Sequence, residues 1–201
     1  TPLYASGPFT STPGTFAPEA LAMWQEMLPA PNAPAAVPAG GAPPPSAAPI
    51  PGARWLLLPV AGPLPTDGAW PLTNGPITHG AIVALKVVDE GGNLSLQSAW
   101  VSRDMTSPAT PIIVNGVVFA VSRGRPAPPP AAGATGADPA RRATPAVVYA
   151  VNGVDGKEFW NSGTTITSYL PGRSFWSATG QVYVGTRDST IYAFGFAMER
   201  K

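Results

Sequence analysis

The decapeptide Asn115-Gly116-Val117-Val118-Phe119-Ala120-Val121-Ser122-Arg123-Gly124 returns 64 residues later as Thr179-Gly180-Gln181-Val182-Tyr183-Val184-Gly185-Thr186-Arg187-Asp188. Each copy opens on a dipeptide suited to a tight turn and continues as a short apolar run, the pattern of a hairpin entering a strand. Working outward, Val148-Tyr149-Ala150-Val151 lines up with Ile191-Tyr192-Ala193-Phe194 and with Ile82-Val83-Ala84-Leu85, and Trp100 and Trp160 each close a unit. Other runs rich in Val, Ile, Leu and aromatics, such as Trp55–Val60 and Pro111–Val114, are bounded by Gly, Asn, Asp or Pro in the same way. Short strands at regular spacing predict an all-β repeat protein.

Set out in strands, the first unit falls at about 19–27, 54–61, 80–88 and 96–102, and the second at about 109–115, 117–123, 146–152 and 157–161. The third falls at about 172–178, 181–187 and 190–196 and lacks a fourth strand. Without its insertions a unit is about forty residues, the length of a four-stranded propeller blade. The repeats therefore span about 19–103, 108–162 and 171–197 of one partial propeller domain over 1–201. Two Pro/Ala-rich insertions, 29–52 and 125–145, interrupt them and are expected to be extended solvated loops. Only Pro18–Leu28 has helix-forming composition, behind a proline suited to a first helical position.

Composition sets the outer limits. Glycine (22) and proline (27) make up about a quarter of 201 residues, yet 44% are hydrophobic and six are tryptophan, too much apolar surface for a wholly disordered chain. A net charge of +1 excludes a nucleic-acid binder driven by bulk charge. The absence of cysteine excludes disulfides, thiolate metal sites and a cysteine nucleophile, and a single histidine, His79, cannot build a multi-histidine site. No apolar run approaches the roughly eighteen residues that a transmembrane helix needs.

The segment Ala150-Val151-Asn152-Gly153-Val154-Asp155-Gly156-Lys157-Glu158-Phe159-Trp160 resembles the tryptophan-docking motif of the pyrroloquinoline-quinone-like (PQQ-like) β-propeller repeat family, Ala-x-Asp-x-x-Thr-Gly-x-x-x-Trp. Ala150, Gly156 and Trp160 match, Asn152 stands for the aspartate and Asp155 for the threonine. In the first unit Ala84 and Trp100 hold the two ends, sixteen residues apart instead of ten. In physical terms Asn152-Gly153 and Asp155-Gly156 reverse the chain. A tryptophan at a fixed distance beyond them can lie flat between adjacent blades with its N–H on a carbonyl. Trp100, Trp160 and Trp176 are assigned that structural role, and Trp160→Ala is expected to cost a few kcal/mol by leaving a cavity.

The same resemblance implies a function class. It points to a non-catalytic binding or assembly scaffold of the bacterial cell envelope, periplasmic or extracellular, working through a protein partner or the remaining blades. The alternative is a fragment of a quinone-dependent alcohol or sugar dehydrogenase, which would need PQQ and calcium; under the scaffold reading no cofactor is expected. A third reading makes 29–51 a proline-rich partner motif. In a four-stranded meander, 62–79, 103–108, 124–145, 162–170 and 187–189 share one side of the blades. Arg103, Asp104, Arg123, Arg187, Asp188 and His79 are therefore candidate ligand residues there, with Arg125, Arg141 and Arg142 nearby. Arg123 and Arg187 occupy equivalent repeat positions and could face an anion together. Since two full units and an incomplete third cannot close a ring, the chain is expected to be the C-terminal part of a longer propeller or to complete itself by oligomerising.

Overall fold

The computed structural model describes residues 21–28, 50–64, 70–126 and 143–195. Arg141, Arg142, the end of the third unit and most of both Pro/Ala tracts lie outside them. The described chain is all-β, with no helix, and its strands form three sheets. The first sheet holds β1 (Ala22–Leu28), β2 (Ile50–Ala61), β3 (Leu72–Thr73), β4 (Gly80–Glu90) and β5 (Asn93–Val101) in the order β1-β2-β4-β5-β3. The second is an antiparallel meander of β6 (Ile112–Val114), β7 (Val117–Ser122), β8 (Val147–Asn152) and β9 (Glu158–Asn161). The third is β10 (Phe175–Ala178), β11 (Gln181–Gly185) and β12 (Ile191–Phe194).

Consecutive sheets stack face to face, and side-chain alternation along each strand dictates it. In the second sheet Val118, Ala120, Tyr149 and Val151 join Trp55, Leu57, Ile82 and Trp100 of the first sheet in one core. The intervening Val121 and Val148 join Val184, Ile166 and Leu170 in another, with Phe119, Tyr192 and Phe194 packed against it. Because both of its faces are covered, the second sheet reads as unbroken apolar runs. Among the described residues the third sheet is covered on one face, and it shows strict alternation: in β11 Val182 and Val184 are buried while Gln181 and Tyr183 are not.

The repeat survives at the level of backbone angles. Asn115-Gly116 and Thr179-Gly180 each place both central residues at positive φ (51° and 79°; 50° and 76°), the type I′ hairpin turn whose twist matches that of strands. Ile112 pairs with Phe119 as Trp176 pairs with Tyr183. Ala84 faces Trp100 and Ala150 faces Trp160 across their ladders, each followed by a register shift at the next residue.

Two stretches differ from expectation. Within the stretch of helical composition, 22–28 form strand β1, where the ladder with β2 and the stacking of Trp24 on Trp55 at 6.3 Å override local propensity. Of the stretch 62–79, expected on the side of the blades that carries the candidate ligand residues, the described residues 62–64 and 70–79 include a cover for the first sheet. Leu64, Trp70 and Ile77 are buried against Val60, Val83 and Val101 on the outer face of the first sheet, and β3 adds a short parallel strand to β5.

Candidate functional site

The junction between the first and second sheets is built around Trp100. Its indole is fully buried, and Nε1 donates to the carbonyl of Gly153 at 2.9 Å. That carbonyl belongs to the turn joining β8 to β9, which the chain shapes locally. Asn152 Oδ1 accepts from the Val154 N–H, Asp155 Oδ1 accepts from the Lys157 N–H, and the Gly156 N–H donates to the Asn152 carbonyl. Gly156 has φ +70°, and a Cβ there would collide with Cε3 of Trp100; a Cβ on Gly153 would fall 2.5 Å from Cζ3 of Trp24. Both glycines are thus flattened under indole rings from the neighbouring sheet. Asn74 Nδ2 donates to the carbonyls of Val101 (2.8 Å) and Asp155 (3.0 Å), a second tie across the junction.

Trp160 and Trp176 differ from this pattern and from the wedge role assigned to them. Trp160 is 43% exposed, its ring tilted against Phe194 at 5.4 Å. Trp176 is 41% exposed and stacks on Tyr183 of its own sheet at 5.9 Å, facing away from the second sheet. Between the second and third sheets opens an apolar cleft of about 730 Å³, walled by Val114, Phe119 and Trp160 on one side and Ala193 and Phe194 on the other. The buried Ala150 and Phe159, which is 63% exposed, also line it.

The candidate ligand residues are largely occupied with the protein itself. Asp104 Oδ1 accepts from the backbone N–H groups of Thr78 (2.8 Å) and His79 (2.7 Å), while Oδ2 accepts from Thr78 Oγ1 (2.9 Å) and meets His79 Nδ1 at 2.7 Å. Burial alone would raise the Asp104 pKa, but the hydrogen bonds from His79 and Thr78 together outweigh it and hold the carboxyl below the usual carboxylate range. Arg103 Nη1 donates to Glu158 Oε2 at 2.6 Å, and its guanidinium lies 4.9 Å from the centre of the Tyr149 ring. For Glu158, burial again pulls the pKa up, and the bonds from Asn161 and Arg103 bring it down further. Arg103, Asp104, Lys157 and Glu158 line a polar cleft of about 580 Å³ with residues 73–76. Arg103 therefore points to the residues beside the 153–157 turn.

Those two arginines flank one link through their main chains. The Arg123 carbonyl accepts from Leu170 N–H (2.9 Å), and Arg187 N–H donates to the Tyr169 carbonyl (3.0 Å). Their side chains are not equivalent, since Arg123 is half-buried and Arg187 is exposed. Asp188 accepts from Thr186 Oγ1 at 2.5 Å and from Thr167 Oγ1 at 3.4 Å. Arg125 pairs by its backbone with Thr144 across the base of the second insertion.

One pair of site residues escaped the sequence reading. The buried Ser102 and Ser162 accept through Oγ from the N–H groups of Ile82 (2.9 Å) and Val148 (3.0 Å), two residues before Ala84 and Ala150. Both follow a tryptophan by two, so the signal was a repeated Trp-x-Ser: Trp100-Val101-Ser102 and Trp160-Asn161-Ser162. Comparison with protein-family models, with curated proteins and with solved structures gives no match.

Proposed function

We propose that the chain is a module of PQQ-like β-propeller repeats acting as a non-catalytic binding or assembly scaffold of the bacterial cell envelope, periplasmic or extracellular, and meeting a protein partner. The observation that carries the reading is a contrast in how side chains are used. Asp104, His79, Arg103 and Glu158 are bonded to one another or to backbone, while Phe159, Trp160, Trp176 and Ile191 present apolar surface to solvent. Exposed apolar side chains, beside polar groups that are satisfied within the fold, suit the recognition of another polypeptide. The face-to-face sheets and the Trp100 contact with the 153–156 turn support the repeat architecture.

The dehydrogenase alternative asks for a calcium site of roughly six to eight oxygens beside the quinone. The residues here do not fit that demand. Both Asp104 oxygens already accept hydrogen bonds, Glu158 holds Arg103 and Asn161, and among the described residues no three His, Asp or Glu side chains gather. Incubating the full chain with PQQ and calcium and following reduction of an artificial electron acceptor tests the proposal. No reduction above protein-free controls is expected, and reconstituted turnover would overturn it in favour of the alternative.

A further inference from the structure

We propose that the edge of β12, open among the described residues, takes up an extended segment of another polypeptide, added antiparallel and carrying Trp-x-Ser with its tryptophan opposite Ala193. The inference rests on the scaffold reading and supplies its ligand. Sheet edges bind by completing a hydrogen-bond ladder, and alternate side chains set the specificity. In the first sheet β5 covers the edge of β4, and in the second β9 covers that of β8; among the described residues β12 pairs with β11 alone. Register identifies the equivalent positions. Phe119 faces Ala150 in the second sheet and Tyr183 faces Ala193 in the third, so Ala193 stands where Ala84 and Ala150 stand opposite their tryptophans.

The surroundings of that edge fit such a strand. A tryptophan opposite Ala193 would extend the row already formed by Trp176 and Tyr183. Its two neighbours along the strand would point to the other face, into the 730 Å³ cleft between Trp160 and Phe194, which continues the packed interface of the second and third sheets. Two residues beyond, a serine would take the N–H of Ile191, the counterpart of the Ile82 and Val148 donors held by Ser102 and Ser162. Ile191 is 66% exposed, so nothing of the described chain covers that end of the edge. The chain thus displays in two copies the strand that its third sheet lacks among the described residues.

The probe is a synthetic peptide of residues 157–163, Lys-Glu-Phe-Trp-Asn-Ser-Gly, titrated into the full isotope-labelled chain and followed by backbone amide shifts. Saturable shifts centred on 191–194 and on the Trp160 indole are expected, with affinity falling at least tenfold for the Trp→Ala peptide and a few-fold for Ser→Ala. On the protein side Ala193→Arg should abolish binding. Ile191→Pro is the second variant: it deletes the edge donor while leaving the β11 side of the strand paired, as proline on an edge allows. Shifts mapping elsewhere, or an affinity indifferent to the peptide tryptophan, overturn the proposal. So does concentration-dependent broadening of 191–194 without peptide, which would make a second copy the occupant. A silent peptide titration with no quinone turnover removes this site and spares the scaffold reading, whereas turnover removes the scaffold reading itself.

Discussion

Trp100 and Trp160 occupy the same position in two successive sheets and meet opposite fates. Each faces an alanine across its ladder, each follows a register shift, and each is followed by a buried serine bonded to the neighbouring strand. Trp100 is fully buried with its N–H satisfied; Trp160 is nearly half exposed on Phe194. The difference lies in what the next sheet offers. The second sheet presents a glycine turn, 153–156, flat enough for an indole to lie on, whereas Trp160 meets an aromatic ring at the wall of a cleft. Local sequence places the tryptophan, and its partner decides whether it becomes core.

The sharpest way to break this comparison is to remove both rings in turn. Trp100→Ala should destabilise the protein by about 3–5 kcal/mol, a fully buried aromatic lost from a packed junction. Trp160→Ala should cost about 1–2 kcal/mol, because much of its surface already faces water. Urea midpoints at constant m-value measure both. Equal losses would mean that the two junctions are packed alike and that the cleft is closed in solution.

The turn itself gives the next largest effect. Gly156→Ala forces a Cβ into a left-handed residue and into the Trp100 ring, at about 2–4 kcal/mol. Gly116→Ala, also at positive φ but with no atom within 4 Å of the added carbon, isolates the backbone cost at about 1 kcal/mol. The gap between the two, read from the same denaturation curves, is the contribution of the indole contact. A gap near zero would show that Trp100 does not press on the turn.

How far the sequence announces all this depends on whether a feature is carried by periodicity or by long-range contact. The hairpins at 115–116 and 179–180, the strands around them and the 64-residue offset are local, and they are legible because turn chemistry and alternation act within a few residues. The cover made by Leu64, Trp70 and Ile77 is not, since a loop of mixed composition reveals its burial only when the sheet beneath it is in place. Strand β1 reads as helix for the same reason: its stack with Trp55 pairs positions 31 apart. Among the site residues, Arg103 and Asp104 were visible as charges after a strand, but their partners Glu158 and His79 are set by sheet stacking and by the folded-back loop. Trp-x-Ser is visible in the sequence but carries no message there, because a serine two residues past a tryptophan resembles any surface serine until its hydroxyl holds a strand.

The smallest effect separates the two carboxylate clasps, Asp104 and Glu158, by pH. In the folded state both Asp104 and Glu158 titrate below their ordinary values, so each stabilises the fold fully above the unfolded carboxylate range and loses that contribution as pH falls through about 4 and lower. Asp104→Asn keeps an oxygen for the Thr78 and His79 N–H groups but removes the titrating charge. Stability of the variant at pH 7 should drop slightly, since Asp104 and His79 are both partly solvated and screened. Its decline between pH 6 and pH 3 should be shallower than in the unaltered chain, with the remaining slope owed in part to Glu158 on Arg103. The measurement is the urea midpoint at each pH in matched ionic strength. Identical slopes for the two proteins would place Asp104 outside the acid transition and leave the Arg103–Glu158 clasp between the first and second sheets as the clasp that senses acid.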